Sequence, residues 1–411
     1  MMEFQQLLKN YAKLVVKAGV NLQKGQELVI SSPVECAPFV HLVAEQAYLA
    51  GAEEVIVQWN DEKLARLKYD HCPIEKFQQV PTWMSEFQNG YSRKHAAHLS
   101  ISASSPDALA GVDPKKPAAW VKAMHQACKE FYDNLDMGIN RWCIVSVPTA
   151  GWAVKVFPDI PEEQAIQKLW DAIFTAVRAN TPDPVASWQT HKESFEQKIA
   201  FLNQKQFKAL HYSNSLGTDI TIGLPDNHVW AGGGDKTQDG IYFFPNMPTE
   251  EIFCTPHKDQ VDGIVYSSMP LNYQGTVINN FSIQFEQGRI TNVTAEEGLE
   301  SLQELIAIDE GSHHLGEVAL VPYNSPISNM GLIFYNTLYD ENAACHFAIG
   351  KGFPECFQDG LSKTMEELKQ QGMNDSATHV DFMLGTKDLD ITGICQDGSE
   401  ILIFKDGNWA F

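Results

Sequence analysis

Ligand-type side chains gather in four short segments of the second half of the chain. They are Asn246-Met247-Pro248-Thr249-Glu250-Glu251-Ile252-Phe253, Leu315-Gly316-Glu317-Val318-Ala319, Asp340-Glu341-Asn342-Ala343-Ala344-Cys345-His346-Phe347-Ala348-Ile349-Gly350 and Ser376-Ala377-Thr378-His379-Val380-Asp381-Phe382-Met383. Carboxylates and imidazoles in this mixture suit a divalent cation, and a held cation suits hydrolysis because it acidifies water and polarises a carbonyl. In the last segment an extended backbone puts His379 and Asp381 on one face, with Val380 opposite. That is half of a metal site, and also what a hydrogen-bonded pair on a solvated face looks like. Glu317 interrupts an apolar run from Leu315 to Val321. It either turns outward on an alternating strand or is buried and then paired or metal-bound. Glu341 and His346 frame small residues that let backbone and cation approach closely; a surface acid and a core histidine is the plainer account. Glu250 and Glu251 are neighbours, and neighbours on a strand point apart, so one at most is a direct ligand while the other can take protons. Each signal has a plain explanation alone. Together in one domain they favour a metal site.

The elements that must position these side chains change character along the chain. In the first half, Leu7, Leu8, Tyr11, Leu14, Val15 and Ala18 recur at helical spacing before Gly19. Short β-rich runs follow at 27–31, 55–57, 99–102 and 143–147, with helical patterns over 38–50, 118–135 and 161–178. Strand alternating with helix predicts an α/β domain with a largely parallel sheet. The rhythm breaks at Asn180-Thr181-Pro182-Asp183-Pro184, the best linker in the chain, and one more helix is expected over 187–205. Beyond it, strand patterns at 219–222, 263–266, 288–293, 318–321 and 401–404 are separated by Gly, Asn and Asp. They predict a strand-rich α+β domain, mainly antiparallel. The expected division is 1–184 for the N-terminal domain and 185–411 for the C-terminal, metal-binding catalytic domain.

Composition narrows the function. A chain of 411 residues exceeds one ordinary core. The formal net charge of −22 opposes nucleic-acid phosphates and anionic membranes, and it favours cations, including a peptide's terminal ammonium. No apolar run reaches the roughly 18 residues of a membrane helix, and the N-terminal stretch lacks a secretory-signal pattern, so the cytoplasm is the expected address. The eight cysteines form no CxxC pair and read as reduced thiols. Phosphate-loop, dinucleotide-fingerprint, nucleophile-elbow, HExxH and EF-hand patterns are all missing, and Gly232-Gly233-Gly234 reads as a turn.

The segments NMPTEEIF, LGEV, DENAACHFAIG and THVDFM resemble the signatures of the aminopeptidase T / aminopeptidase S (PepS) family of metallopeptidases. The resemblance runs over nearly the whole chain, including KGQELVI near the N-terminus and DGIVYSSMPLNYQG. It implies a two-domain homodimer that removes N-terminal residues from peptides bearing a free N-terminus, using two divalent ions such as zinc, cobalt or manganese. Its ligands would be Glu251, Glu317, Glu341, His346, His379 and Asp381, with Glu317 shared by both metals, and Glu250 would be the proton-transfer base. Adjacent glutamates serve as base and then ligand in another two-metal aminopeptidase family, and that analogy sets the order of Glu250 and Glu251. One position departs from the pattern. A tyrosine is expected seven residues beyond His346, where this chain has Phe353, which can neither donate a hydrogen bond nor ligate a metal. Tyr339 or Tyr335 would have to supply that role, or activity is reduced.

Two rivals remain at this stage. A two-metal phosphoesterase uses a similar oxygen-rich centre, but no basic cluster near the four segments would receive phosphate. A catalytically weak metal- or peptide-binding protein is the other, and Phe353 keeps it open.

Overall fold

The computed structural model describes residues 3–273 and 276–411. Met1, Met2 and the Gln274-Gly275 pair that ends the DGIVYSSMPLNYQG segment lie outside the described residues. The chain forms two compact units. One takes the residues up to Lys192 together with Gly234–Pro248 and Ile333–Asn336; the other takes Glu193–Gly233, Thr249–Leu332 and Thr337–Phe411.

The first unit is built on a four-stranded parallel sheet in the order Val55–Asn60, Leu28–Pro33, Ala97–Ser102, Trp142–Ser146. The predicted βα rhythm is thus present. Helix Ala37–Ala50 buries Phe39, Val40, Val43 and Ala47, an apolar stripe at helical spacing, and stops at Gly51, whose left-handed φ of 94° a side chain would resist. Helix Phe4–Leu14 buries Tyr11, whose hydroxyl donates to the Ser146 carbonyl at 3.1 Å.

Three local expectations need correction. The helix predicted over 118–135 is two, Lys115–Ala127 and Lys129–Asp136, because Cys128 leaves helical geometry between them. Helices Glu62–His71 and Thr82–Arg93 went unpredicted; the first buries no residue and leaves Leu64 and Leu67 exposed. The linker is shorter than expected, since helix Pro184–Lys205 already begins at Pro184. Proline suits a first helical position, where its missing N–H has no partner to lose.

The second unit is strand-rich and antiparallel, as its turn-punctuated sequence predicts. Its larger sheet runs Arg289–Thr294, Ser282–Glu286, Val261–Tyr266, Asp219–Gly223, Ala209–Ser213, Asp390–Ile394, Glu400–Lys405, Asn408–Trp409. A five-stranded sheet runs His379–Met383, His346–Gly350, Leu315–Leu320, Ile252–Cys254, Ala231–Gly232. Gly232 therefore belongs to a short strand rather than to a turn. Val318, Leu320, Phe347, Ile349 and Phe382 on the smaller sheet share one core with Ile220, Ile283 and Phe285 of the larger. Each such side chain, fully buried, contributes roughly 1.5–3 kcal/mol.

Candidate metal centre

The smaller sheet sorts its residues by face. Glu317 pairs with Ala348, and Ala348 with Asp381, so two carboxylates stand on either side of one alanine. On the same face, Ala319 pairs with His346 and Gly350 with His379. Side chains two apart share a face, so this one carries Glu317, His346, His379 and Asp381 with only Ala319, Ala348 and Gly350 between them. The opposite face holds Val318, Phe347, Ile349 and Phe382 and packs into the core.

A register shift between Leu315 and Glu317 makes this sorting possible. Strict alternation would put both residues on one face. The bulge around Gly316 leaves Leu315 opposite Ile349 in the core and turns Glu317 to the polar side. A Cβ at Gly316 would overlap the carbonyls of Gly350 and Lys351. Phe253 pairs with Ala319, so Glu251, two residues earlier, is carried toward the same face as the other ligand-type groups.

The structure brings five predicted residues together in two overlapping groups. Glu251, Glu317 and His346 form one; Glu317, His379 and Asp381 form the other; within each, the ligand atoms lie within 4.8 Å of one another. His379 Nε2 is 3.1 Å from Glu317 Oε2 and 3.3 Å from Asp381 Oδ1, and His346 Nε2 is 3.3 Å from Glu251 Oε2. Each imidazole is oriented from behind. His379 Nδ1 lies 2.7 Å from the Lys351 carbonyl and His346 Nδ1 lies 3.1 Å from the Ala344 carbonyl. An Nδ1–H donated to a carbonyl fixes the ring and leaves Nε2 for a cation.

Electrostatics show a centre that needs positive charge. Burial, countered by the His379 hydrogen bond and helped by Asp381 and Glu251, holds the Glu317 carboxyl above its usual range. Glu341, on the turn Glu341–Ala343, belongs to neither group but feels both: burial, then Glu251 and Asp381, push its carboxyl well up. Burial acts to lower the His346 imidazolium, yet Glu251, Asp381 and Glu317 raise it to about 10. His379 is likewise opposed by burial and raised to about 11 by Asp381 and Glu317. Burial acts against the Asp381 carboxylate too, but His379 and His346 hold it below its usual range. Among the described residues no lysine or arginine pairs with any of these carboxylates, and Asp381 Oδ1 is buried without an aligned donor. Four carboxylates and two neutral imidazoles match the charge and ligand chemistry of divalent cations, so the residues fit a metal centre.

The remaining candidates sit around this centre. Glu250, only 6% exposed, stands outside both groups, and the half-buried Lys198 feels its charge. Asn342, which the sequence did not single out, is fully buried and accepts the Glu250 N–H at 2.6 Å while donating to the Leu338 carbonyl at 3.1 Å. Its amide also reaches Glu341 Oε1 at 3.5 Å. Phe353 lies with its ring centroid 4.9 Å from that of His379 and 5.4 Å from that of Phe253. Thr255 fixes it by accepting the Phe353 N–H at 2.8 Å. Tyr339 is buried on the short helix Thr337–Asp340 that leads into Glu341. Tyr335 belongs to the first unit, where Lys155 Nζ sits 5.4 Å from its ring centroid.

Fold and site together define a metal-dependent hydrolase built on an antiparallel sheet, and comparison with known proteins agrees. The peptidase family described as thermophilic metalloprotease (M29) matches residues 4–409. "Aminopeptidase AmpS" of Bacillus subtilis is 46% identical over 408 residues, covering 99% of each chain. "Aminopeptidase T" of Thermus thermophilus is 40% identical over 407 residues, again 99% of each. A solved structure, "Wild-type AmpT from Thermus thermophilus", superposes with a TM-score of 0.93 at 39% identity and covers 100% of both chains. The chain belongs to the M29 family of thermophilic metalloproteases, as the NMPTEEIF, LGEV, DENAACHFAIG and THVDFM segments led us to expect.

Proposed function

We propose that this protein is a metallo-aminopeptidase that releases N-terminal residues from peptides and works with two divalent ions. Glu251, Glu317 and His346 would hold one ion, and Glu317, His379 and Asp381 the other, with Glu341, whose carboxyl feels Glu251 and Asp381, completing the set. The observation that carries this reading is that Glu317 is common to both groups. Four carboxylates also balance the charge of two dications. Zinc, cobalt and manganese all suit this donor set.

When bound, such ions supply an acidified water and a polarised peptide carbonyl. The chain's own residues do the rest. Glu250, held through its backbone by Asn342, takes the proton of the attacking water and delivers it to the leaving amine nitrogen as the C–N bond breaks. The Phe253 and Phe353 rings form an apolar wall at His379 that limits access of bulk water. The chain's acidic excess draws in the substrate's ammonium end.

We further assign the metal-binding catalytic domain to residues 185–411, with 1–184 as the α/β N-terminal domain, and place the protein in the cytoplasm as a homodimer. Among the described residues no helix is long and apolar enough to cross a membrane. The phosphoesterase alternative is disfavoured by the sequence, in which no basic cluster adjoins the four segments, and by the aminopeptidase names of the relatives. The deciding assay is hydrolysis of aminoacyl-p-nitroanilides, with and without N-acetylation, after chelation and after metal add-back. Metal-restored cleavage of the free substrates alone is expected. No cleavage with any metal would leave a binding role instead.

A further inference from the structure

We propose that the outer edge of strand His379–Met383 is a main-chain cradle on which the peptide substrate docks as an added antiparallel strand. The proposal rests on the aminopeptidase reading and goes beyond it, since it assigns how the substrate's backbone is held.

His379–Met383 is the outermost strand of its sheet and pairs antiparallel with His346–Gly350. The ladder's phase is set at both ends. Lys351 N–H donates to the Thr378 carbonyl at 2.8 Å, and Leu384 N–H donates to the Cys345 carbonyl at 2.9 Å. Hydrogen-bonded pairs alternate along an antiparallel ladder. Val380 and Phe382 therefore bond inward, while His379, Asp381 and Met383 turn their N–H and C=O groups away from the sheet. Met383 bears this out, because its outward carbonyl accepts the Ser268 N–H at 2.8 Å.

That bond closes the edge at one end. At His379 and Asp381, among the described residues, no main-chain partner meets the outward groups. Their side chains are 26% and 17% exposed. They are also the two whose side chains enter the cluster with Glu317. An open strand edge is a standing template for another chain. Here it lies beside the groups that would do the chemistry.

A peptide offers the complementary N–H and C=O groups whatever its side chains. Edge addition takes its affinity from those groups. The closed end at Met383 stops a docked strand from continuing, so the substrate's N-terminus lies toward Met383 and the chain leaves past His379. This direction is antiparallel to His379–Met383. Two outward residues, two positions apart, engage two substrate residues also two positions apart, and the residue between them makes no edge bond.

The test is an N-methyl scan of a penta-alanine amide with the metal-loaded protein, methylating the amide nitrogens of substrate residues three, four and five in turn. Alternation is expected. Methylation at one parity lowers kcat/KM by roughly five- to tenfold per lost bond, and methylation at the other leaves it within about twofold. Equal tolerance at all three positions, or equal loss at all three, would overturn the cradle while leaving the peptidase reading intact. If the unmethylated parent were not cleaved at all, both would fall.

Discussion

Glu317 and Asp381 face one another across Ala348 and reach the same imidazole nitrogen, His379 Nε2, at 3.1 and 3.3 Å. Two carboxylates this close to one imidazole are stable only with protons or cations among them. The sheet imposes the arrangement through pairing register, and Ala348 leaves the room for it.

Ala348 is accordingly the residue to enlarge. Ala348→Val adds methyl groups to a fully buried position in the middle of the ligand row. Overpacking of this kind costs about 1–3 kcal/mol. Falling on the metal-loaded state, it weakens metal affinity by roughly five- to a hundredfold. Competition with a fluorescent chelator measures this, and unchanged affinity would contradict the assigned face.

Glu250 and Glu251 separate by what they lose. Glu250→Gln is expected to keep its metal and lose about 10²–10⁴-fold in kcat, the usual contribution of a general base. Glu251→Gln is expected to lose metal first. Metal analysis after desalting, run beside steady-state kinetics, distinguishes the two. Metal loss in the Glu250 variant with full retention in the Glu251 variant would reverse the roles.

The histidines predict a pH dependence for the metal-free protein. Their folded values of about 10 for His346 and about 11 for His379 lie above the ordinary 6.5. The folded state then holds protons that the unfolded chain gives up, so this stability is complete below pH 6.5 and is lost as pH rises through about 10 and 11. Glu317 and Glu341, also raised, act with the same sign. Thermal unfolding of the chelated protein should show Tm falling across that window, with the metal-loaded protein changing less.

Proton release follows from the same groups. A cation replaces the imidazolium protons, so loading at neutral pH should expel more than one proton per chain. Calorimetric titration in two buffers of different ionisation enthalpy counts them. No release would mean that the histidines do not bind the metal.

Much of this was legible in the sequence, for reasons that particular residues make plain. His379 and Asp381 were placed on one face by the two-residue period alone, and the structure keeps them there. Glu317 is undecidable from the sequence because the apolar residues on both sides of it hide which face is which. The bulge at Gly316 settles it, and the isolated glycine within the run is its one trace in the sequence. The orienting carbonyls of Ala344 and Lys351 were invisible because any residue supplies a carbonyl. Asn342 reads as an ordinary polar residue in the sequence, and only its burial against the Glu250 backbone sets it apart. Helix Glu62–His71 has only Leu64 and Leu67 at helical spacing, both exposed, too short a period to mark it.

The central claim is that two ions share Glu317, and the direct measurement is activity against metal equivalents added to chelated protein. The account predicts that peptide hydrolysis develops fully only as the second equivalent per chain binds. It also predicts that Glu317→Gln, with an unchanged circular dichroism spectrum, loses the two-equivalent stoichiometry and at least about 10³-fold in kcat/KM. Full activity at one equivalent, or a Glu317→Gln protein that binds two ions and turns over normally, would contradict it.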